Sequence, residues 1–246
     1  MLENSLYLNV SWVFTSSLSA EGCMVKVKVW DGFIRGYHWL QVSLLFALWY
    51  CADNGEMEWH FLFGYALLGL WITRFIWGFI GSDTAKFSYF IKSPKALIDY
   101  LSDKNKFDRV KFGHNPAGAC MVILFLGLII IQLFTGLSAS DDILSEGPLS
   151  QYFTADTVSF MTWLHSVNFD VLLWAIGLHV VAIVAYKLKK QALVKAMITG
   201  VAEYKLVSSI AQPKMMSGLL AWVIYACIAG VIWWQWGHEN LGYLLY

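Results

Sequence analysis

The sequence predicts an all-α integral membrane bundle, and three observations predict it. First, 58% of the 246 residues are hydrophobic and only 14% are charged, against about 25% charged in a soluble domain. Second, the apolar residues gather into five runs near the length of a membrane-spanning helix. Third, basic residues occupy alternate connections between those runs. The 17 basic and 17 acidic residues cancel, so net charge points to no nucleic-acid or acidic partner. A soluble enzyme, a nucleic-acid binder and a disordered chain are all excluded by composition. A β-barrel is excluded because the runs do not alternate apolar and polar residues.

The elements follow in order. Residues 1–23 carry no Lys or Arg, so they lack the basic start of a signal peptide. They are expected to be a loosely ordered extension, with Met24 as a possible start. The first span, 37–52, has only 16 residues and must borrow 32–36 to cross. The second, 59–79, holds Arg74 near its end. The third, 117–137, has 21 residues and no charge. The fourth, 161–186, contains one charge, Asp170. The fifth, 218–236, has 19 residues and no charge. A spanning helix needs about 20 apolar residues. Trp49, Tyr50, Trp59, Trp77, Trp163, Trp233, Trp234 and Trp236 crowd the ends of the runs, as interfacial aromatics do. The segment 187–214 mixes Leu193, Val194, Met197, Ile198 and Val201 with Lys190, Lys195 and Glu203. It is expected to lie on the inner surface as an amphipathic helix or to serve as a connector. The expected organisation is thus an extension (1–23), a four-helix unit (24–190) and a C-terminal part (191–246) with the surface segment and the fifth span.

Orientation comes from the basic residues. Lys26, Lys28 and Arg35 precede the first span. Lys86, Lys92, Lys95, Lys104, Lys106, Arg109 and Lys111 join the second to the third. Lys187, Lys189, Lys190, Lys195, Lys205 and Lys214 join the fourth to the fifth. Sixteen of the 17 therefore fall on one side, and Arg74 is the remaining one. Basic loops stay cytoplasmic, which places the N-terminus inside and the C-terminus outside. The opposite loop, 138–160, carries Asp141, Asp142, Glu146 and Asp156 and no basic residue.

Cys23, Cys51, Cys120 and Cys227 form no C-x-x-C pair, so dithiol, zinc-ribbon and covalent haem motifs are absent. The chemistry rests on histidine. Of six histidines, His38, His60, His165 and His179 lie in or at the ends of spans, where ionisable side chains usually mark function. His38 opens the first span at the inner surface and His60 opens the second at the outer one. His165 is near the outer start of the fourth. His179 follows 14 residues later, about 21 Å deeper on nearly the same face. Depth therefore pairs His38 with His179 and His60 with His165. Two imidazoles from different helices at one depth suit bis-histidine ligation of a b-type haem. The competing use, a zinc or iron transport site, wants carboxylates or thiols beside the imidazoles. The nearest, Asp170, is five residues from His165 and about 140° around the helix.

Four motifs then carry a resemblance. Arg35-Gly-Tyr-His38-Trp39 opens the first span. His60-x-x-x-Gly64-Tyr65 and Arg74-x-x-Trp77-Gly78-Phe79 fill the second. Gly113-His114-Asn115-Pro116-x-Gly118-Ala119 starts the third. His165 and Gly177-Leu178-His179-Val180 mark the fourth. Over about residues 25–190 the chain resembles the bacterial cytochrome b561-like and nickel-iron hydrogenase-type di-haem cytochromes b. The resemblance implies two haem b groups, ligated by the histidines of the first, second and fourth helices in the pairing reached from depth.

Further residues have two readings each. Arg74, 14 residues after His60, is level with the inner haem and either pairs with a propionate or snorkels. Arg35 is a second candidate for the same role. Asn115-Pro116 reads as an N-cap followed by Pro at the first helical position, so His114 sits just before the third helix. It either hydrogen-bonds a quinone or is an interfacial histidine, and His238 is expected to be exposed. Gly64 and Gly177 either admit a macrocycle or serve helix packing. Asp170 is either part of a proton path or a buried hydrogen-bonded carboxylate. The function expected is electron relay across an inner membrane. The relay would run between the quinone pool and a redox partner, a periplasmic c-type cytochrome or a nickel-iron hydrogenase. The alternatives are a quinol-dependent terminal oxidoreductase and an intramembrane metal transporter.

Overall fold

The computed structural model describes residues 24–103, 112–141, 145–205 and 212–238. The expected extension 1–23, Lys104, Lys106, Arg109, Lys111, Asp142 and the stretch beyond 238 lie outside the described residues.

A short strand, β1 (Met24–Lys28), leads into α1 (Gly32–Asn54). Asp31 caps α1: its Oδ1 accepts from the Ile34 amide at 2.8 Å, satisfying one of the helix's free N-terminal donors. The helix ends at Gly55, whose φ of 75° is left-handed and costs only glycine nothing. That turn delivers the chain directly into α2 (Met57–Ile80), so α1 and α2 form an antiparallel hairpin. Two short helices follow, α3 (Phe87–Phe90) and α4 (Pro94–Ser102). Then comes α5 (Pro116–Leu137), with Asn115 Oδ1 accepting from Gly118 N at 2.8 Å and Pro116 at the first position, as the sequence predicts.

The fourth long helix, α6 (Ala155–Leu188), has 34 residues and overshoots the 161–186 run at both ends. At about 1.5 Å per residue it is about 51 Å long, well beyond a ~30 Å hydrocarbon core. After it come α7 (Leu193–Thr199), β2 (Val201–Lys205) and α8 (Gly218–Ile232). A π-helical turn, Trp233–Gly237, extends α8. Among the described residues four helices, α2, α5, α6 and α8 with its extension, are long and apolar enough to cross a membrane. The first expected span, α1, has 23 residues, or about 35 Å, but is less apolar. The fold is the all-α membrane bundle that the composition predicts.

One expectation is corrected. The segment 187–214 is not a single amphipathic helix. Only seven of its residues form α7, and the chain then turns at Gly200 into β2. This strand pairs antiparallel with β1, with Lys26 opposite Glu203 and Val27 opposite Ala202. The alternation Val201-Ala202-Glu203-Tyr204-Lys205 suits a half-buried strand better than a helix face. The pairing fastens the chain after α6 to the chain before α1.

The best-packed region lies where α1 begins, α2 ends and α8 begins. Phe33 and Trp77 are fully enclosed and meet edge to face at 5.7 Å, and Trp222 of α8 meets Phe33 at 5.2 Å. Gly36 makes room for that indole, since a Cβ there would stand 2.5 Å from Trp222. Helix α8 therefore packs on α1 and α2, whereas α6 packs on α5.

Candidate functional site

At one end of the bundle, α1 and α5 finish where α2 and α6 start. His60 of α2 and His165 of α6 face each other there, with ring centres 6.3 Å apart. Both rings are oriented by backbone carbonyls. His60 Nδ1 lies 2.9 Å from Leu48 O, and His165 Nδ1 lies 3.0 Å from Gln132 O. A carbonyl only accepts, so in both rings Nδ1 carries the proton and donates it. Each Nε2 is then the unprotonated nitrogen, the form that binds a metal. Gln132 adds its side chain: Nε2 of the amide donates to His165 Nε2 at 3.1 Å. Asn168, buried on α6, donates to Gln132 Oε1 at 2.6 Å and to Leu128 O at 3.0 Å. Thr135 Oγ1 stands 3.2 Å from His165 Nδ1. Helices α5 and α6 are thus fastened by amides and a hydroxyl around one imidazole.

The other end gathers the starts of α1 and α5 and the ends of α2 and α6. His38 and His179 lie within electrostatic range of each other, but the structure shows no ring contact between them. His179 instead meets Phe125 of α5 edge-on at 5.7 Å, and His38 Nδ1 is buried without a hydrogen-bond partner. Arg74 is 3% exposed. Its guanidinium lies 5.3 Å from the Phe87 ring centre, a cation–π contact, and its Nη1 has no hydrogen-bond partner. Asp31, Tyr37 and His114 lie within electrostatic range of it. The Asp31 carboxylate is already committed, with Oδ1 on the α1 cap and Oδ2 accepting from Trp77 Nε1 at 3.0 Å.

His114 precedes α5, as its motif predicts, and is gripped between Trp30 at 4.6 Å and Phe90 at 5.0 Å. Gly113, with φ 78°, turns the chain there. Burial, with the Arg74 charge as a lesser cause, pushes the His114 imidazole down to about 3. Its Nδ1 is buried and unpartnered. Beside it, Asn115 Nδ2 donates to Tyr186 Oη at 2.7 Å, and Tyr186 Oη meets Tyr100 Oη at 3.0 Å. This ties the end of α4 and the start of α5 to the end of α6.

The other sequence candidates fall elsewhere. Arg35 Nη1 donates to Ile198 O at 2.7 Å, binding α1 to the end of α7. Gly64, one turn after His60, leaves open space, with only Leu48 within 4 Å of an added Cβ. Gly177 is exposed with nothing within 4 Å. It sits about 200° around α6 from His179, on the face turned away from the histidines. Asp170 is exposed, which corrects the expectation of a buried hydrogen-bonded carboxylate. His238 is exposed as expected.

Sequence reasoning missed Asp31, Gln132 and Asn168. Asp31 carries the usual signal of a helix N-cap. Gln132 and Asn168 were detectable as amides inside apolar runs.

The donor set discriminates between metals. A metal-bound imidazole nitrogen stands about 2.0 Å from its metal, and its ring centre about 1.1 Å further, so two rings flanking one ion have centres about 6.2 Å apart. His60 and His165 match that spacing. Among the described residues, no three of His, Cys, Asp and Glu gather as a metal cluster. A bare zinc or iron ion needs such a set, whereas haem brings four equatorial nitrogens and asks the protein for two axial ligands. The unpartnered Nη1 of Arg74 suits an acidic group such as a propionate.

Comparison with known proteins agrees. The family model described as prokaryotic cytochrome b561 matches residues 29–200. No curated protein and no solved structure matches the chain. The matched region runs from just before the α1 cap to the end of α7 and takes in His38, His60, His165 and His179. The chain therefore belongs to the prokaryotic cytochrome b561 family, and is a multi-pass membrane b-type cytochrome of transmembrane electron transfer.

Proposed function

We propose that this cytochrome carries two haem b groups, one held by His60 and His165 and the other by His38 and His179. The observation that carries the reading is the facing pair of Nδ1-protonated imidazoles at 6.3 Å. Haem supplies one-electron iron chemistry, and the protein supplies ligation, spacing and burial. Leu48 and Gln132 hold two ligands in the correct tautomer through their carbonyls. Arg74 pairs with a propionate of the haem at the His38 end, where its free Nη1 otherwise costs a buried, unsatisfied cation. Arg35 is the weaker candidate, since its guanidinium already serves Ile198. His114 hydrogen-bonds a quinone: its depressed pKa keeps the imidazole neutral, so it can accept from a quinol or donate to a quinone.

In this reading the protein relays electrons across the bacterial inner membrane. They pass between the quinone pool and a redox partner, a periplasmic c-type cytochrome or a nickel-iron hydrogenase. The one-sided basic residues support an N-terminus in the cytoplasm and a C-terminus in the periplasm. Haem assay of the purified protein should give about two haems per chain, and redox titration two midpoints. One haem per chain overturns the two-site reading. An alkaline phosphatase fused at the C-terminus should be active, and inactivity inverts the topology. The alternative, a quinol-dependent terminal oxidoreductase, requires oxidation of quinol with only a small-molecule acceptor present.

A further inference from the structure

Asp170 stands on α6 between the levels of His165 and His179, five residues from one and nine from the other. It lies 14 residues from Asp156 and 17 from Lys187, so about 21 and 26 Å separate it from the charged ends of the helix. That is the middle of the membrane, and an aspartate side chain is too short to reach water from there. The carboxylate is also on the wrong side of the helix for the candidate haems, about 140° from His165 and about 180° from His179. It is exposed, and among the described residues it has no hydrogen-bond or ion-pair partner. Among the described residues no other element of the bundle covers it. Helix α6 packs on α5 through Asn168, Leu172 and Ala175, and α8 sits across the bundle on α1 and α2.

An unpaired carboxylate facing lipid at mid-depth is unfavourable, and intramembrane charges almost always find a partner. We propose that this face of α6 docks a transmembrane helix of another protein, and that Asp170 is met by a basic side chain of that helix. The surface around it fits a helix. Ser166 lies one turn before Asp170, Trp174 one turn after, and Gly177 seven residues on. Trp174 is 81% exposed. Small residues let two backbones approach in a membrane, and the open space at Gly177 allows that approach beside the acid.

Charge complementarity selects this occupant over a second copy. A two-fold axis along the membrane normal would set Asp170 against Asp170 at one depth, where two carboxylates repel. Nor does this chain offer a cation in exchange. The single Lys or Arg in the interior of its spans is Arg74, which is enclosed in its own bundle and engaged with Phe87. The inference is independent of the haem reading, because it concerns the opposite face of α6.

The test uses the full-length protein in its native membranes. The photo-crosslinker p-benzoylphenylalanine replaces Trp174 on the docking face or, as a control, Leu172 on the α5 face. The expected product is a heteromeric adduct at position 174 only, whose sequenced peptide is a spanning helix with Lys, Arg or His within one turn of the crosslink. Its yield should fall about tenfold in Asp170→Leu, persist in Asp170→Glu, and return when Asp170→Lys is combined with an acidic replacement of the partner's basic residue. Haem content should be unchanged in each variant. An adduct to a second copy, adducts to lipid alone, or a yield indifferent to Asp170→Leu would each overturn the proposal.

Discussion

The two ends of the bundle are built differently. At the His60 and His165 end the polar groups around the imidazoles are joined in hydrogen bonds: Leu48 O, Gln132 O, the Gln132 amide, Thr135 and Asn168. At the His38 and His179 end, His38 Nδ1, Gln41 Oε1, Arg74 Nη1 and His114 Nδ1 are buried without one. Buried polar atoms are paired in the great majority of cases, and each orphan calls for an explanation. The contrast teaches that the first end is arranged before a cofactor arrives, by hydrogen bonds between α1 and α2 and between α5 and α6. In the proposed reading the second is completed by what binds there. An acidic group for Arg74 and a polar ligand for His114 would satisfy two of the orphans at once.

The largest effect that can break this comparison comes from the ligands. His60→Ala and His165→Ala should each lower haem content from about two per chain to about one, with matching spectra. His38→Ala and His179→Ala should match each other and retain the opposite haem. If His38→Ala resembles His165→Ala, the pairing is wrong.

Arg74→Leu comes next. Removing a positive charge from beside a propionate makes the reduced haem less favourable, so the midpoint at the His38 end should fall. Each tenfold change in the reduction equilibrium is about 59 mV for a one-electron couple. Arg74→Lys should recover part of it, and the other midpoint should stay in place. Equal movement of both midpoints would remove the assignment of Arg74 to one end.

His114 sharpens the comparison through pH. Its pKa of about 3 in the fold lies below the ordinary 6.5, so the unfolded chain takes up the proton first. The stability His114 contributes is therefore present above about pH 6.5 and is lost as pH falls towards 3. His114→Phe keeps a ring between Trp30 and Phe90 but cannot titrate. Its thermal midpoint should fall less between pH 6.5 and 4 than that of the parent protein. Quinol oxidation should slow about tenfold or more, with both haems retained. Unchanged kinetics would return His114 to a packing role.

The smallest expected effect is that of Thr135→Val. It removes one 3.2 Å contact to an imidazole that keeps its carbonyl. A change of about 1 kcal/mol or less is expected, read as a small shift in the midpoint at the His60 end. A loss of haem there would mean that the hydroxyl, rather than Gln132 O, orients His165.

Much of this was legible in the chain itself, for physical reasons. A 14-residue interval returns a helix to nearly the same face, so His165 and His179 read as two levels of one surface. Asn115-Pro116 announces the start of α5 because a side-chain acceptor and a missing N–H both suit a first turn. The strand pair was hidden because five-residue strands carry little pattern and their pairing is remote in sequence. Hydropathy also reports where lipid is, not where a helix stops, so it missed the overshoot of α6. Gln132 and Asn168 escaped because a count of charges does not register neutral amides. Asp170 was visible as a charge, but only the packing of α6 on α5 shows which way it faces.

The pairing of β1 with β2 also sets a clock on biogenesis. About 170 residues separate the two strands, and a ribosome adds about 5–20 residues per second. Met24–Lys28 therefore waits about 10–30 s after its own synthesis before Val201–Lys205 exists. In that interval α1, α2, α5 and α6 must all enter the membrane while one strand edge stands open. An open edge recruits any strand that passes, and Lys26 and Lys28 oppose such recruitment by charge. Closure of the pair then comes only after His179 has been made, so the clasp that joins the two ends of the family domain shuts around a complete set of histidines.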